Sequence, residues 1–234
     1  MVYLIRNYGD FVRELLNAGF SVGTGGNDEG IFGLLEFGWN EEPLNSPVRW
    51  HTGNPETDPW AWRVRVLDER DDIAYSKVFF RKSGYITKEW YPCFLAARRG
   101  DCAFEDAYAD GTISHAAKRI YDVITEHGSL PAHDIKRYAG FQRDEKGKFE
   151  SALTELQMRM YITVCGEQQK LSQKGELYSW PSSVFCTTER FWGDDVFKAA
   201  AQLNEEEAAS KITEQVLKLN PSANIRKIKK FIEG

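Results

Sequence analysis

Between Trp50 and Arg99 the sequence reads WHTGNPETDPWAWRVRVLDERDDIAYSKVFFRKSGYITKEWYPCFLAARR, and cationic side chains are interleaved there with aromatic rings. Nine Lys and Arg stand between residues 60 and 100 against five acids, so this block carries +4 in a chain whose net charge is −5. Rings that stack and cations that pair with phosphate are what a polyanion with stackable bases requires. The same composition also serves a core strand with solvated edges. The four cysteines, Cys93, Cys102, Cys165 and Cys186, are far apart, with no CxxC pair and no His at a zinc-like offset, so buried free thiols are expected and no metal site. Residues 23–30, GTGGNDEG, match neither GxGxxG nor GxxxxGK[ST] and carry two acids, so they read as a turn. Nothing indicates a bound metal, nucleotide or flavin, and no cofactor is expected.

The elements that must position these residues fall into three expected regions. Residues 1–100 form an N-terminal α+β region that holds the basic and aromatic block, 112–181 form a helix-turn-helix with a wing, and 182–234 form a C-terminal helical segment. In the first region Asp10 can cap a short helix that Gly19 ends, and a strand follows at Phe20 to Val22. Four prolines make residues 40–59 irregular. Trp60 to Leu67 fits strand or helix, Ser83-Gly84 is expected to break the next apolar run, and Thr87 is expected to cap a helix containing Trp90 and Phe94.

From Thr112 the periodicity sharpens. Ala117, Ile120, Tyr121 and Ile124 recur at helical spacing behind a Ser114 cap, Gly128 stops that helix, and Pro131 opens a second one ending at Gly140. A third, over 148–160, buries Phe149, Ala152, Leu153, Leu156 and Met160. Two β-type runs follow at 161–165 and 177–180. Three helices and then a ribbon is the order of a winged helix-turn-helix, whose third helix lies in the major groove while the ribbon touches the backbone. The groove face would offer Lys146, Lys148, Ser151, Thr154, Glu155 and Arg159, and the turn between the β runs would offer Lys170 and Lys174. Such modules also pair chains, so a homodimer stays open. Beyond them Asn204 and Glu207 form a helix-start signature, and the final helix sets Ile225, Ile228, Phe231 and Ile232 against a Lys-rich side.

Composition is that of a soluble globular protein, 42% hydrophobic and 28% charged. No stretch approaches a membrane span and the start lacks the build of a signal peptide, so a cytoplasmic location without membrane association is expected.

WHTGNPETDPWAWR, AYSKVFFRKSGYITKEWYPCFLAARR, LTELQMRMYITVCG and LKLNPSANIRKIKKFI together resemble the AlkZ-related winged-helix proteins of bacteria, from about Trp50 to the C-terminus. The resemblance implies winged-helix elements, distant kinship with DNA glycosylases that remove alkylated or cross-linked bases, and a pocket at Trp50, His51, Asp58, Trp60, Trp62 and Arg63. The glycosylases orient water with a Gln-x-Gln or similar pair. Here Gln168 and Gln169 are adjacent and the pair is absent, so the excision activity is not carried over. In such a pocket Trp60 and Trp62 would stack on a flipped base, Asp58 would act as base, Arg63 or Lys77 would bind phosphate, and His51 would transfer a proton.

The expectation is therefore an α+β, mostly helical protein with winged-helix elements and short antiparallel ribbons, which binds double-stranded DNA and is related to base-excision repair. Two other classes stay open: a non-catalytic regulator or interaction scaffold, and an enzyme or binder of a small molecule at Trp50 to Arg63.

Overall fold

The computed structural model describes residues 5–24, 30–170, 177 and 180–234. The chain divides into two compact units, one made of residues 1–100 and 195–234 and the other of 101–194. Both mix helices with antiparallel strands.

Helix α1 (Tyr8–Ala18) is capped by Asn7, three residues before the expected Asp10, because the Asn7 carboxamide accepts the Asp10 N–H at 2.8 Å. Asp10 instead lies in the first turn, where its charge suits the helix dipole. Gly19 ends the helix at φ 89°, and an added Cβ there would stand 2.1 Å from the Trp90 indole. Strand β1 (Phe20–Val22) follows, as read from the sequence. Trp60 to Leu67 falls within helix α2 (Pro59–Glu69), opened by an Asp58 cap and proline in the first turn.

Strands β2 (Ile73–Phe79) and β3 (Lys82–Thr87) form a hairpin, and β1 pairs with β3. Its two-residue turn is Phe80-Arg81, at φ 51° and 61°. Left-handed backbone at both positions matches the twist of a hairpin, although Asn and Gly are the residues usually found there. The expected break at Ser83-Gly84 is instead part of β3, where a Cβ on Gly84 would meet the Phe79 ring at 2.3 Å. Thr87 closes β3 by donating its N–H to Gly19, and the next helix, α3 (Tyr91–Arg98), starts after Trp90.

In the second unit α4 (Phe104–Ala109) precedes α5 (His115–His127), which Ser114 caps and Gly128 ends as expected. Strand β4 (Ser129–Pro131) runs up to the second helix, which starts directly after Pro131 as its N-cap, and pairs with β6. Proline is tolerated at such an edge because its missing N–H faces away from the ladder. Helices α6 (Ala132–Tyr138) and α7 (Lys146–Met158) come next, then β5 (Ile162–Gln168) and β6 (Ser182–Thr187), giving the sheet order β5-β6-β4. The second long strand thus begins beyond the expected 177–180. Its core is apolar, with Ile120, Ile124, Ile135 and Leu156 all fully buried. Thr187 caps α8 (Thr188–Trp192).

The chain re-enters the first unit through α9 (Asp194–Ala200) and then α10 (Glu205–Leu219), whose capping box of Asn204 and Glu207 is formed as read. Gln215 donates to the Ala18 carbonyl at 2.9 Å and Asn220 to that of Ile31 at 2.7 Å, so the late helix is fastened to the first segment. Helix α11 (Ile225–Glu233) buries Ile228, Phe231 and Ile232, while Ile225, its first residue, stays 62% exposed against expectation. Phe231 stacks on Phe79 at 4.1 Å and meets Phe20 and Phe94 at 5.5 and 5.7 Å. Arg98 secures this junction by donating to the carbonyls of Val78, Phe231 and Ile232 at 2.7 to 2.8 Å. A cation is thereby supplied to the C-terminal carbonyls of α11 from another helix, where the dipole favours it. Burial pushes the Arg98 guanidinium down to about 9, which leaves it charged at neutral pH. No helix among the described residues is long and apolar enough to cross a membrane.

Arg98→Ala is expected to lower unfolding stability by about 2–4 kcal/mol in urea titrations, since charge-assisted bonds to three carbonyls are lost, and Arg98→Lys to recover less than half. Asp72, whose carboxylate takes two bonds from Arg70 at 2.6 and 2.7 Å, is held below the ordinary carboxylate range by that arginine. Its contribution, under about 1 kcal/mol after solvent screening, is present at neutral pH and lost as pH falls below about 4. The urea midpoints of Asp72→Asn and the parent should therefore differ at pH 7 and converge at pH 3.

Candidate nucleic-acid interface

Asp58 is 1% exposed and its carboxylate serves the backbone on both sides. One oxygen accepts the N–H groups of His51 at 3.0 Å and Trp60 at 2.9 Å, and the other accepts that of Gly53 at 2.8 Å. The same group thus caps α2 and closes the loop before it. Expected as a general base, the carboxylate is removed from water and engaged by three backbone donors. It also takes the backbone of His51, not its ring, so no carboxylate–imidazole pair is assembled.

His51 is exposed, with left-handed backbone at φ 60°. Its ring lies among three indoles, 5.0 Å from Trp60, 5.5 Å from Trp39 and 6.3 Å from Trp50. Arg63, one turn along α2, places its guanidinium 3.9 Å over the Trp60 ring. The outcome is a surface of rings with a cation stacked beneath one of them, able to stack further planar groups. The Trp50 indole nitrogen is shielded from water and has no hydrogen-bond acceptor among the described residues.

Trp62 does not belong to this surface. Expected beside Trp60 in the pocket, it is fully buried, stacked on Phe11 at 5.2 Å, with its N–H donated to the Pro55 carbonyl. On a strand, residues two apart share a face; on a helix they point about 200° apart, so α2 sends one indole outward and the other into the core. Lys77 is exposed in β2, outside the loop and helix that carry the rings. Trp39, 57% exposed and 6.2 Å from Trp60, completes the cluster and was missed. It precedes the motif-rich stretch, and a lone Trp in an irregular segment gives no spacing signal.

Lys146, Lys148 and Ser151 on α7 and Arg159 just past its end are exposed. Lys146 pairs with Glu150 at 3.7 Å and Lys148 with Glu145 at 3.3 Å, so the face is mixed in charge. Thr154, expected outward, is 6% exposed and bonds back to the Glu150 carbonyl, on a side of the helix where Gln157, three residues on, is buried as well. Glu155 is also drawn off that face, its carboxylate accepting the N–H and hydroxyl of Ser114 at 2.9 and 2.7 Å. Lys170 is half-buried just past β5, and Lys174 lies outside the described residues.

Replacing Asp58 by Ala should remove about 2 kcal/mol or more of stability, with Asn intermediate, since a buried cap and two loop bonds are lost together. Chemical unfolding followed by tryptophan fluorescence reads this.

No curated protein matches the sequence. Among solved structures, the DNA glycosylase AlkZ of Streptomyces sahachiroi aligns with a TM-score of 0.42 and 12% identity, over 75% of this chain and 50% of that one, so the chain spans about half the length of that protein. A family model described as AlkZ related matches residues 5–233. The match takes in almost the whole sequence, and the chain belongs to the AlkZ-related family.

Proposed function

We propose that the chain binds double-stranded DNA through a winged helix formed by residues 112–187, with α7 in the major groove. The observation that carries the reading is the order helix, strand, helix, helix, strand, strand over α5, β4, α6, α7, β5 and β6, with the three strands in one antiparallel arrangement. In a winged helix that order leaves the third helix free along its outer face. Here the exposed Lys146, Lys148, Ser151 and Arg159 lie on α7 and at its end. Both lysines have carboxylate partners within their own helix region, so phosphate would have to displace weak, solvent-screened pairs. A family named for a DNA glycosylase makes duplex DNA the natural polymer to test.

The proposal does not extend to base excision. Asp58, the residue assigned to activate water, is committed to backbone donors. A second reading, a planar small molecule held at Trp39, Trp50, His51 and Trp60, is favoured by the unpaired indole N–H of Trp50. Thermal shifts against a metabolite panel would reveal it, since a ligand at 100 times its dissociation constant adds roughly 2.7 kcal/mol.

Fluorescence anisotropy with undamaged and alkylated duplexes at two salt concentrations tests the main reading. Lys148→Ala and Arg159→Ala are each expected to weaken binding on every sequence and to reduce the logarithmic salt slope by about 1. Unchanged affinity and slope in both variants would overturn the groove contact. A stable dimer with no duplex affinity would favour the scaffold class instead.

A further inference from the structure

Two of the four cysteines, well separated in sequence, meet in the second unit. Strands β5 and β6 are antiparallel, with Thr163 opposite Cys186 and Val164 opposite Phe185, but the next pair is Gly166 with Val184. Cys165 is therefore the extra residue of a β-bulge, outside the regular ladder, where the backbone has more slack than in paired strand. Its thiol donates to the Val184 carbonyl at 3.6 Å, and the register sets Cys186, two residues along β6, opposite Thr163, two residues before Cys165. The geometry points to Cys165 and Cys186 as a reversible oxidation site, at which a peroxide converts the two thiols into a disulfide joining β5 to β6. This inference does not depend on the DNA-binding reading.

The two thiols are unequal in the way such chemistry requires. Cys165 is half-buried and so partly open to a small oxidant, whereas Cys186 is 2% exposed. A hydrogen bond with Cys186 holds the Cys165 thiol below its ordinary value, and the charge of Arg190 acts in the same direction against burial. That bond, burial and the neighbouring Cys165 charge push Cys186 well up. Cys165 is thus the attacking thiolate and Cys186 the resolving thiol. Burial likewise pushes Cys93 up, which makes it an internal comparison.

The chemistry balances without another reactant. The Cys165 thiolate attacks one peroxide oxygen, the O–O bond breaks, and the departing hydroxide takes up a proton as water, leaving Cys165 as sulfenic acid. The Cys186 sulfur then attacks the Cys165 sulfur, the S–O bond breaks, and the released hydroxide leaves as water with the Cys186 proton. Two electrons pass from the sulfurs to the peroxide, and a thiol reductant returns both cysteines.

The test uses the reduced full-length chain with hydrogen peroxide as probe, followed by intact mass and non-reducing peptide mapping. Expected are a loss of about 2 Da that dithiothreitol reverses, a cross-link between the Cys165 and Cys186 peptides, and oxidation of Cys165 at least tenfold faster than Cys93. In Cys186→Ser the cross-link should vanish and dimedone should trap a sulfenic acid on Cys165. A disulfide mapped to Cys93 or Cys102, oxidation of Cys165 to sulfinic acid without a cross-link, or equal rates at Cys165 and Cys93 would overturn the assignment. Mapping of the unmodified sequence needs no variant, so a folding defect in Cys186→Ser leaves the answer readable.

Discussion

One buried carboxylate organises the candidate surface of the first unit. Asp58 accepts backbone N–H groups from both sides of itself, and in doing so it fixes the start of α2 against the loop that ends in His51. A charged group at 1% exposure is tolerable only when its lone pairs are occupied, and three donors meet that demand. Once the helix start is fixed, the 100° step per residue decides which indole meets water and which meets Phe11. The half-exposed ring cluster and the buried Trp62 are therefore two results of one constraint.

Much of the fold was legible because helix termini are written locally. Ser114, Gly128, Asn204 with Glu207, and Gly19 each act within a few residues, and each does what its type suggests. The hairpin turn was not legible, since Phe80 and Arg81 adopt left-handed backbone without the Gly or Asn that usually marks it. The nearby Gly84, which resembles a break, is instead required by a ring pressed against the strand. The family resemblance placed both indoles in one pocket, and the undecided period of Trp60 to Leu67 gave no signal that a helix would part them.

Long-range partners account for the remaining gaps. Arg98 reads in sequence as one more cation of a basic block, yet its acceptors include two carbonyls more than 130 residues later. Thr154 and Glu155 read as groove residues until the fold shows that one faces the core and the other holds the start of α5. The Cys165–Cys186 approach depends on a bulge that no spacing rule announces. Charge pattern alone therefore overstates the cationic surface.

The division of the chain bears on the order in which it can fold. Residues 101–194 are contiguous, so the second unit has all its parts once that stretch has left the ribosome. The first unit does not. Phe231, at the centre of its ring cluster, and two of the three carbonyls that receive Arg98 lie more than 130 residues beyond that arginine. During translation the apolar faces of β1, β2 and α3 must wait for α10 and α11 with their rings uncovered. For that interval the first hundred residues expose apolar surface that the finished unit covers, whereas the inserted unit can already be complete.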